Sequence, residues 1–198
     1  NSCCGLILAA GRSTRMGTFK LNLPWGDTTV LGSVVRSLFK GGISRIFVVH
    51  SSNRMPEVPS SFSGLNINWI ENLEADTEEM LVSIQTGIIA LPADVDYVFI
   101  CLGDQPTIRP EVVTTLINEL SPETLLVIPS YRMRRGHPWV VKRDLWPEIT
   151  RLDKDMTVRS FIDKWADKIH YVSFDMERPE DLDTPDDYKR LQEEKGKT

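Results

Sequence analysis

The chain has 198 residues, with 23 Lys+Arg against 28 Asp+Glu, a formal net charge of -5, and 41% apolar and 8% aromatic types. That balance is too apolar and too evenly charged for a disordered segment, and no apolar run approaches the roughly 20 residues of a membrane span. The acidic total argues against a broad nucleic-acid surface, which needs a basic stripe to displace counterions.

Residues 4–9 read as a buried strand that runs into a polar, glycine-punctuated loop. Residues 30–40 put Val30, Val34, Val35 and Leu38 on one helical face, and Gly41-Gly42 stops that helix. Strands are expected at 45–50 and 67–70, with an irregular surface connection at 51–65. Residues 77–91 repeat apolar side chains at helical spacing, with Asp76 or Thr77 placed to cap the start. Residues 97–102 form a continuous apolar run, as in a central parallel strand buried on both faces. A helix opening at Pro110 and running to Leu120 follows, then strands at 125–128 and 139–141. A helix at 157–165 and a strand at 169–174 come next. Thr184-Pro-Asp-Asp187 opens the final helix, with Asp187 able to complete a capping box, and the charged tail after Leu191 is expected to fray.

Strands alternating with helices predict an α/β domain with a mostly parallel central sheet. No repeat or low-complexity linker divides the sequence, so residues 1–198 are expected to form a single domain. Cys3, Cys4 and Cys101 sit in apolar runs and read as reduced, buried thiols of a cytoplasmic protein. No secretory signal is read at the N-terminus. Ligands of such sheets bind beyond the carboxyl ends of the strands, so the polar residues just past each strand come under scrutiny.

The strongest signal there is Leu8-Ala-Ala-Gly-Arg-Ser-Thr-Arg-Met-Gly-Thr-Phe-Lys20. Gly11 and Gly17 let backbone approach a ligand, and exposed amides in such a loop make an anion-binding concavity. Arg12, Arg15 and Lys20 add three cations, and a triphosphate is the natural guest. Neither G-x4-G-K-[ST] nor G-x-G-x-x-G fits the spacing.

Asp104 follows the strand at 97–102, in Gly103-Asp-Gln-Pro106. A carboxylate there fits a Mg2+ ligand, and a cap or Asx-turn before the Pro110 helix is the competing use. Several carboxylates in Glu180-Asp-Leu-Asp-Thr-Pro-Asp-Asp187 could reach a metal, and helix capping competes for each. His137, in Arg135-Gly-His-Pro138, is open to a catalytic-base reading or to a turn-shaping one.

Residues 8–24 resemble the LAAG-x-S-x-RMG-x-x-K-x-x-LP signature of the MobA-like nucleotidyltransferases, in the branch typified by molybdenum cofactor cytidylyltransferase. Gly103-Asp-Gln-Pro106, Gly136-His-Pro138 and Asp181-Leu-Asp-Thr-Pro185 match further family elements in the family's order. The resemblance implies a Rossmann-like three-layer fold and nucleotidyl transfer from an NTP to a phosphorylated acceptor. It implies that Leu8, Ala9, Ala10, Gly11, Arg12, Ser13 and Gly17 wrap the nucleotide, with Lys20 and Arg15 at its phosphates and Ser83 at the base. It gives Asp104 and Asp183 the metal, Mg2+, with Asp181 the runner-up to Asp183. It sets His137 in a positioning role near nucleotide or acceptor, and Arg159, with Asp155, at the acceptor. Ala10, where the guanine-handling branch shows Gly, and the Gly136-His-Pro138 element favour CTP over GTP.

The implied acceptor is molybdopterin, a phosphorylated pterin, or its molybdenum-loaded form. A sugar or polyol phosphate is an alternative. So is a non-catalytic molybdenum cofactor-binding chaperone that serves a molybdenum hydroxylase. Neither nucleic acid nor membrane is an expected partner. Two departures stand out: Glu79 replaces the glycine of Gly-Met-x-x-Ser, and Thr157 replaces that of L-x-x-D-x-G-x-R.

Overall fold

The structure, a computed structural model, describes residues 1–11, 16–74, 80–153 and 156–196. In chain order it runs β1 (Cys3–Leu8), a β2–β3 hairpin (Pro24–Trp25 and Thr28–Thr29), α1 (Val30–Lys40), β4 (Arg45–Ser51) and β5 (Asn66–Asn72). Then come α2 (Met80–Ile89), β6 (Tyr97–Leu102), α3 (Pro110–Asn118), β7 (Leu126–Tyr131), β8 (Arg134–Arg135) and β9 (Trp139–Lys142). The chain ends with α4 (Trp146–Thr150), α5 (Val158–Lys164), β10 (Ile169–Phe174) and α6 (Pro185–Lys195).

The main sheet has the order β10-β7-β9-β6-β1-β4-β5, with β8 hydrogen-bonded to β7. Strands β5, β4, β1 and β6 are mutually parallel, and β10 is parallel to β7. Strand β9 runs antiparallel between β6 and β7, so the sheet is mostly parallel.

Alternation along the strands splits the core into two layers. Ile7, Phe99, Cys101, Val127 and Val140 face α1, α3 and α6. Leu6, Val98, Ile100, Leu126 and Val141 face α2, α4 and α5. Helices on both faces of the sheet give the expected three-layer α/β architecture.

Local signals set most boundaries. Thr29 caps α1 by accepting from the Gly32 amide. Thr184 and Asp187 form the anticipated capping box of α6. Thr157 caps α5 by accepting from the Ser160 amide, which gives the departure at this position a structural use. One expectation needs correction, and two features were not foreseen. The tail does not fray at Leu191: α6 continues to Lys195, supported by Arg190–Glu194 pairing and by Lys195 over the Trp25 ring. The connection at 51–65 is tied down by a 3-10 turn at Ser60–Phe62 that buries Phe62. The short helix α4 was not anticipated, because its five residues carry too little periodicity to register. The caps Asp76 and Thr77 lie outside the described residues.

Candidate active site

Strands β1 and β6 end side by side, and their close approach builds the site. The ladder persists one residue past each strand: the Gly103 amide donates to Leu8 O (2.9 Å) and the Ala9 amide to Val49 O (2.8 Å). A Cβ at Gly103 would stand 2.9 Å from Leu8 O, so glycine lets the two strand ends meet. Asp104 then turns off the sheet edge.

Leu8 is half-buried, Ala9 and Ala10 are buried, and Gly11 is exposed, with no described residue within 4 Å of where a Cβ would stand. Arg12, Ser13 and Arg15 lie outside the described residues. The loop returns through Gly17, whose φ of +67° is the left-handed conformation that glycine tolerates. A 3-10 turn at Lys20–Asn22 buries Leu21 in the α1-side core and so fixes the Lys20 backbone.

The third segment comes from the far end of the chain. Leu182 is fully buried, and its amide donates to Asp104 O (3.0 Å). Gln105 Nε2 donates to Asp181 Oδ1 at 2.7 Å. These two contacts clasp residues 181–183 against 104–105. They also sort the acidic run: Asp187 caps α6, Asp181 holds Gln105, and Asp183 faces Lys20.

Lys20 Nζ lies 2.5 Å from Asp104 Oδ2 and 3.3 Å from Asp183 Oδ1. The Lys20 and Asp104 side chains are 11% and 20% exposed, whereas Asp183 is 43% exposed and opens toward solvent. Burial pushes the Asp104 carboxyl above the usual carboxylate range, and the Lys20 ammonium opposes that push. Two hard oxygen donors fit Mg2+ or Mn2+. Among the described residues no group of three His, Cys, Asp or Glu side chains could hold a metal. One or two carboxylates completed by substrate phosphates and water is the usual Mg2+ arrangement.

The other expected residues lie apart from this trio. Ser83 is buried, and its Oγ accepts from Asn72 Nδ2 at 3.1 Å. It ties α2 to the end of β5. His137 is buried, stacked on Trp139 at 4.4 Å, with Nδ1 3.1 Å from Ile100 O. That partner is a carbonyl, so Nδ1 carries the proton and donates. Burial pushes the imidazole down to about 4, so it is neutral at pH 7 and unsuited to act as a base titrating near neutrality. Through these contacts His137 ties the segment between β8 and β9 to the end of β6. Arg159 is 88% exposed on α5, 3.9 Å from Asp163, on the layer opposite α6. Asp155 and Glu79 lie outside the described residues.

Gln105 was missed at the sequence level. It is 4% exposed, its Oε1 is buried without a partner among the described residues, and its amide secures Asp181. Its signal was present in the Gly103-Asp-Gln-Pro106 element, but its partner stands 76 residues away.

The family model of the MobA-like NTP transferase domain matches residues 5–169. The molybdenum cofactor cytidylyltransferase of Escherichia coli (strain K12) is 27% identical over 197 residues, 92% of each chain. The crystal structure of Rv0371c from Mycobacterium tuberculosis H37Rv superposes with a TM-score of 0.80 at 28% identity, covering 98% of this chain and 99% of that one. The same mycobacterial protein in complex with manganese gives a TM-score of 0.75 at 26% identity, covering 98% and 99%. With the family model spanning most of its length, from the first strand to the start of the last, the chain belongs to the MobA-like NTP transferase domain family.

Proposed function

We propose that this chain transfers a cytidylyl group from CTP to a phosphorylated acceptor, molybdopterin or its molybdenum-loaded form, and releases pyrophosphate. One observation carries the reading: a lysine from the glycine-rich loop converges with two carboxylates at the carboxyl ends of β1 and β6. The E. coli relative, named for cytidylyl transfer to molybdenum cofactor, supports the choice of nucleotide and acceptor. Residues 1–198 act as one nucleotidyltransferase domain in this reading, since Leu182, and Leu191 of α6, beyond the matched 5–169, pack in the α1-side core. The free, buried Cys4 and Cys101 suit a reducing, cytoplasmic setting.

An acceptor phosphate monoester is mostly dianionic at neutral pH, with its second ionisation near 6. It needs little help from a general base, and none is assigned. Catalysis is then positioning plus charge neutralisation. The backbone of Ala9, Ala10, Gly11 and Gly17, with Arg12 and Ser13, orients the triphosphate, and Ser83 lies toward the base. Lys20 and Arg15 neutralise charge that builds on the departing pyrophosphate. Asp104 and Asp183 hold Mg2+. When bound there, the cation supplies charge neutralisation at the α-phosphate.

The test is a melting-temperature screen with CTP, GTP, ATP and UTP, each with and without Mg2+. A ligand at ~100 times its dissociation constant adds about 2.7 kcal/mol to stability. CTP with Mg2+ should give the largest shift, and cytidylyl transfer to purified molybdopterin should follow. A larger shift with another nucleotide, or binding without transfer, would refute the reading.

A further inference from the structure

The segment that carries Lys20 and the helix that follows Asp183 are joined a second time, away from the carboxylates. The Lys20–Asn22 turn runs through Leu23 into Pro24 of the hairpin, and α6 starts directly behind Asp183 at the Thr184–Asp187 capping box. Tyr188 Oη donates to Pro24 O at 2.5 Å, and Gln192 Nε2 donates to the same oxygen at 3.0 Å. Gln192 Nε2 also reaches Tyr188 Oη at 2.7 Å, so the two side chains brace each other. The Trp25 and Tyr188 ring centroids lie 6.3 Å apart, and Lys195 Nζ stands 5.2 Å from the Trp25 centroid.

The sequence of α6 suits this contact. Tyr188, Leu191, Gln192 and Lys195 recur at i, i+3, i+4 and i+7, so they share one face. Asp187, Arg190 and Glu194 pair among themselves on another. Leu191 is the buried residue of the helix, and polar side chains make the remaining contacts with the hairpin. Apolar burial is non-directional, whereas two hydrogen bonds to one carbonyl fix distance and direction.

The contacts close a ring. On one side Lys20 Nζ meets Asp183 Oδ1 at 3.3 Å across 163 positions of sequence. On the other, Pro24 meets Tyr188 across 164. Asp104 stands outside this ring, on the sheet edge behind Gly103. We propose that Tyr188 and Gln192 are positioning residues of the transfer site: by holding Pro24 O they set the Lys20 ammonium against Asp183. The inference rests on the transferase reading and extends its machinery to a helix beyond the matched 5–169.

The test uses the full chain and the Tyr188→Phe/Gln192→Leu variant, which removes both donors and keeps apolar bulk on the face. Tyr97→Phe is the control. It also removes a phenolic hydrogen bond to a carbonyl, Ser121 O at 2.6 Å, but at the amino end of β6, away from the site. Each protein is melted, then labelled with trace acetic anhydride, and acetylation of Lys20 is read by mass spectrometry. The double variant should stay folded and label Lys20 about threefold faster, as for loss of a partly exposed ion pair. Its kcat for pyrophosphate release should fall about tenfold or more, with KM for CTP little changed, because a misplaced group costs rate more than binding. Tyr97→Phe should lower the melting temperature and move neither quantity. Should the double variant not fold, Tyr188→Phe alone carries the test, with the same directions expected. Unchanged Lys20 labelling in the folded variant, an equal rise in Tyr97→Phe, or a wild-type kcat overturns the proposal. If wild type releases no pyrophosphate while Lys20 labelling still rises in the double variant, the transferase reading falls and the hold of α6 on Lys20 stands.

Discussion

Lys20 Nζ lies between Asp104 Oδ2, at 2.5 Å, and Asp183 Oδ1, at 3.3 Å, so one ammonium bridges carboxylates 79 positions apart in sequence. In the proposed reading Asp104 and Asp183 would also hold the divalent cation, so the ammonium occupies their oxygens in its place in the free protein. Lys20 and the metal should therefore compete in the free protein, and nucleotide phosphates should relieve that competition by drawing Lys20 away. At an effective dielectric near 20, unit charges 4 Å apart interact by about 4 kcal/mol, enough for at least a tenfold effect after screening. Titration of Mn2+ followed by electron paramagnetic resonance should show tighter binding to Lys20→Met than to wild type without nucleotide. Equal affinities would contradict the competition.

Two glycines of the site should behave in opposite ways. A Cβ at Gly103 meets backbone oxygen at 2.9 Å, so Gly103→Ala should cost about 1–3 kcal/mol of stability and displace Asp104. A Cβ at Gly11 meets nothing within 4 Å among the described residues. Gly11→Ala should keep wild-type stability to within about 0.5 kcal/mol yet weaken the melting shift caused by CTP. Urea unfolding with and without nucleotide distinguishes the two cases.

His137 gives a pH signature. Its imidazole is held at about 4 in the folded protein against an ordinary value of 6.5. Between those values the unfolded chain takes up a proton that the folded chain refuses. Stability is thus complete above pH 6.5 and is lost as pH falls toward 4, by about 3 kcal/mol in all. His137→Gln removes that dependence, so the stability gap between wild type and variant should narrow on acidification. A gap that stays constant from pH 7 to 4.5 in urea melts would refute the buried neutral state.

Thr157 caps α5, which predicts that Thr157→Ala costs about 1 kcal/mol, whereas Thr157→Gly costs only a few tenths. Parallel thermal melts of the two variants check this. A larger loss in the glycine variant would show that the threonine does more than cap.

The legible part of this molecule was local. Periodicity gave α1 its bounds of 30–40, and Thr184 with Asp187 announced the start of α6. Lys20 and Asp104 were visible because each follows a buried strand in a glycine-bearing turn. What escaped depended on partners distant in sequence. Strand β9 looks like any other short apolar run, and nothing local says that it inserts antiparallel between β6 and β7. Asp187 was legible as a cap, but the choice between Asp181 and Asp183 needed Gln105 and Lys20, which each claimed one. The exposed run 132–135 gave no hint that Arg132 pairs with Asp175 and Glu177, more than 40 residues on.

The most direct measurement is pyrophosphate release from CTP and Mg2+, with purified molybdopterin as acceptor, by wild type and by Asp104→Asn shown to be folded by circular dichroism. Removing one such contact is worth about 3 kcal/mol of barrier, so turnover should fall at least ~100-fold. A folded Asp104→Asn protein that turns over at the wild-type rate would contradict the account.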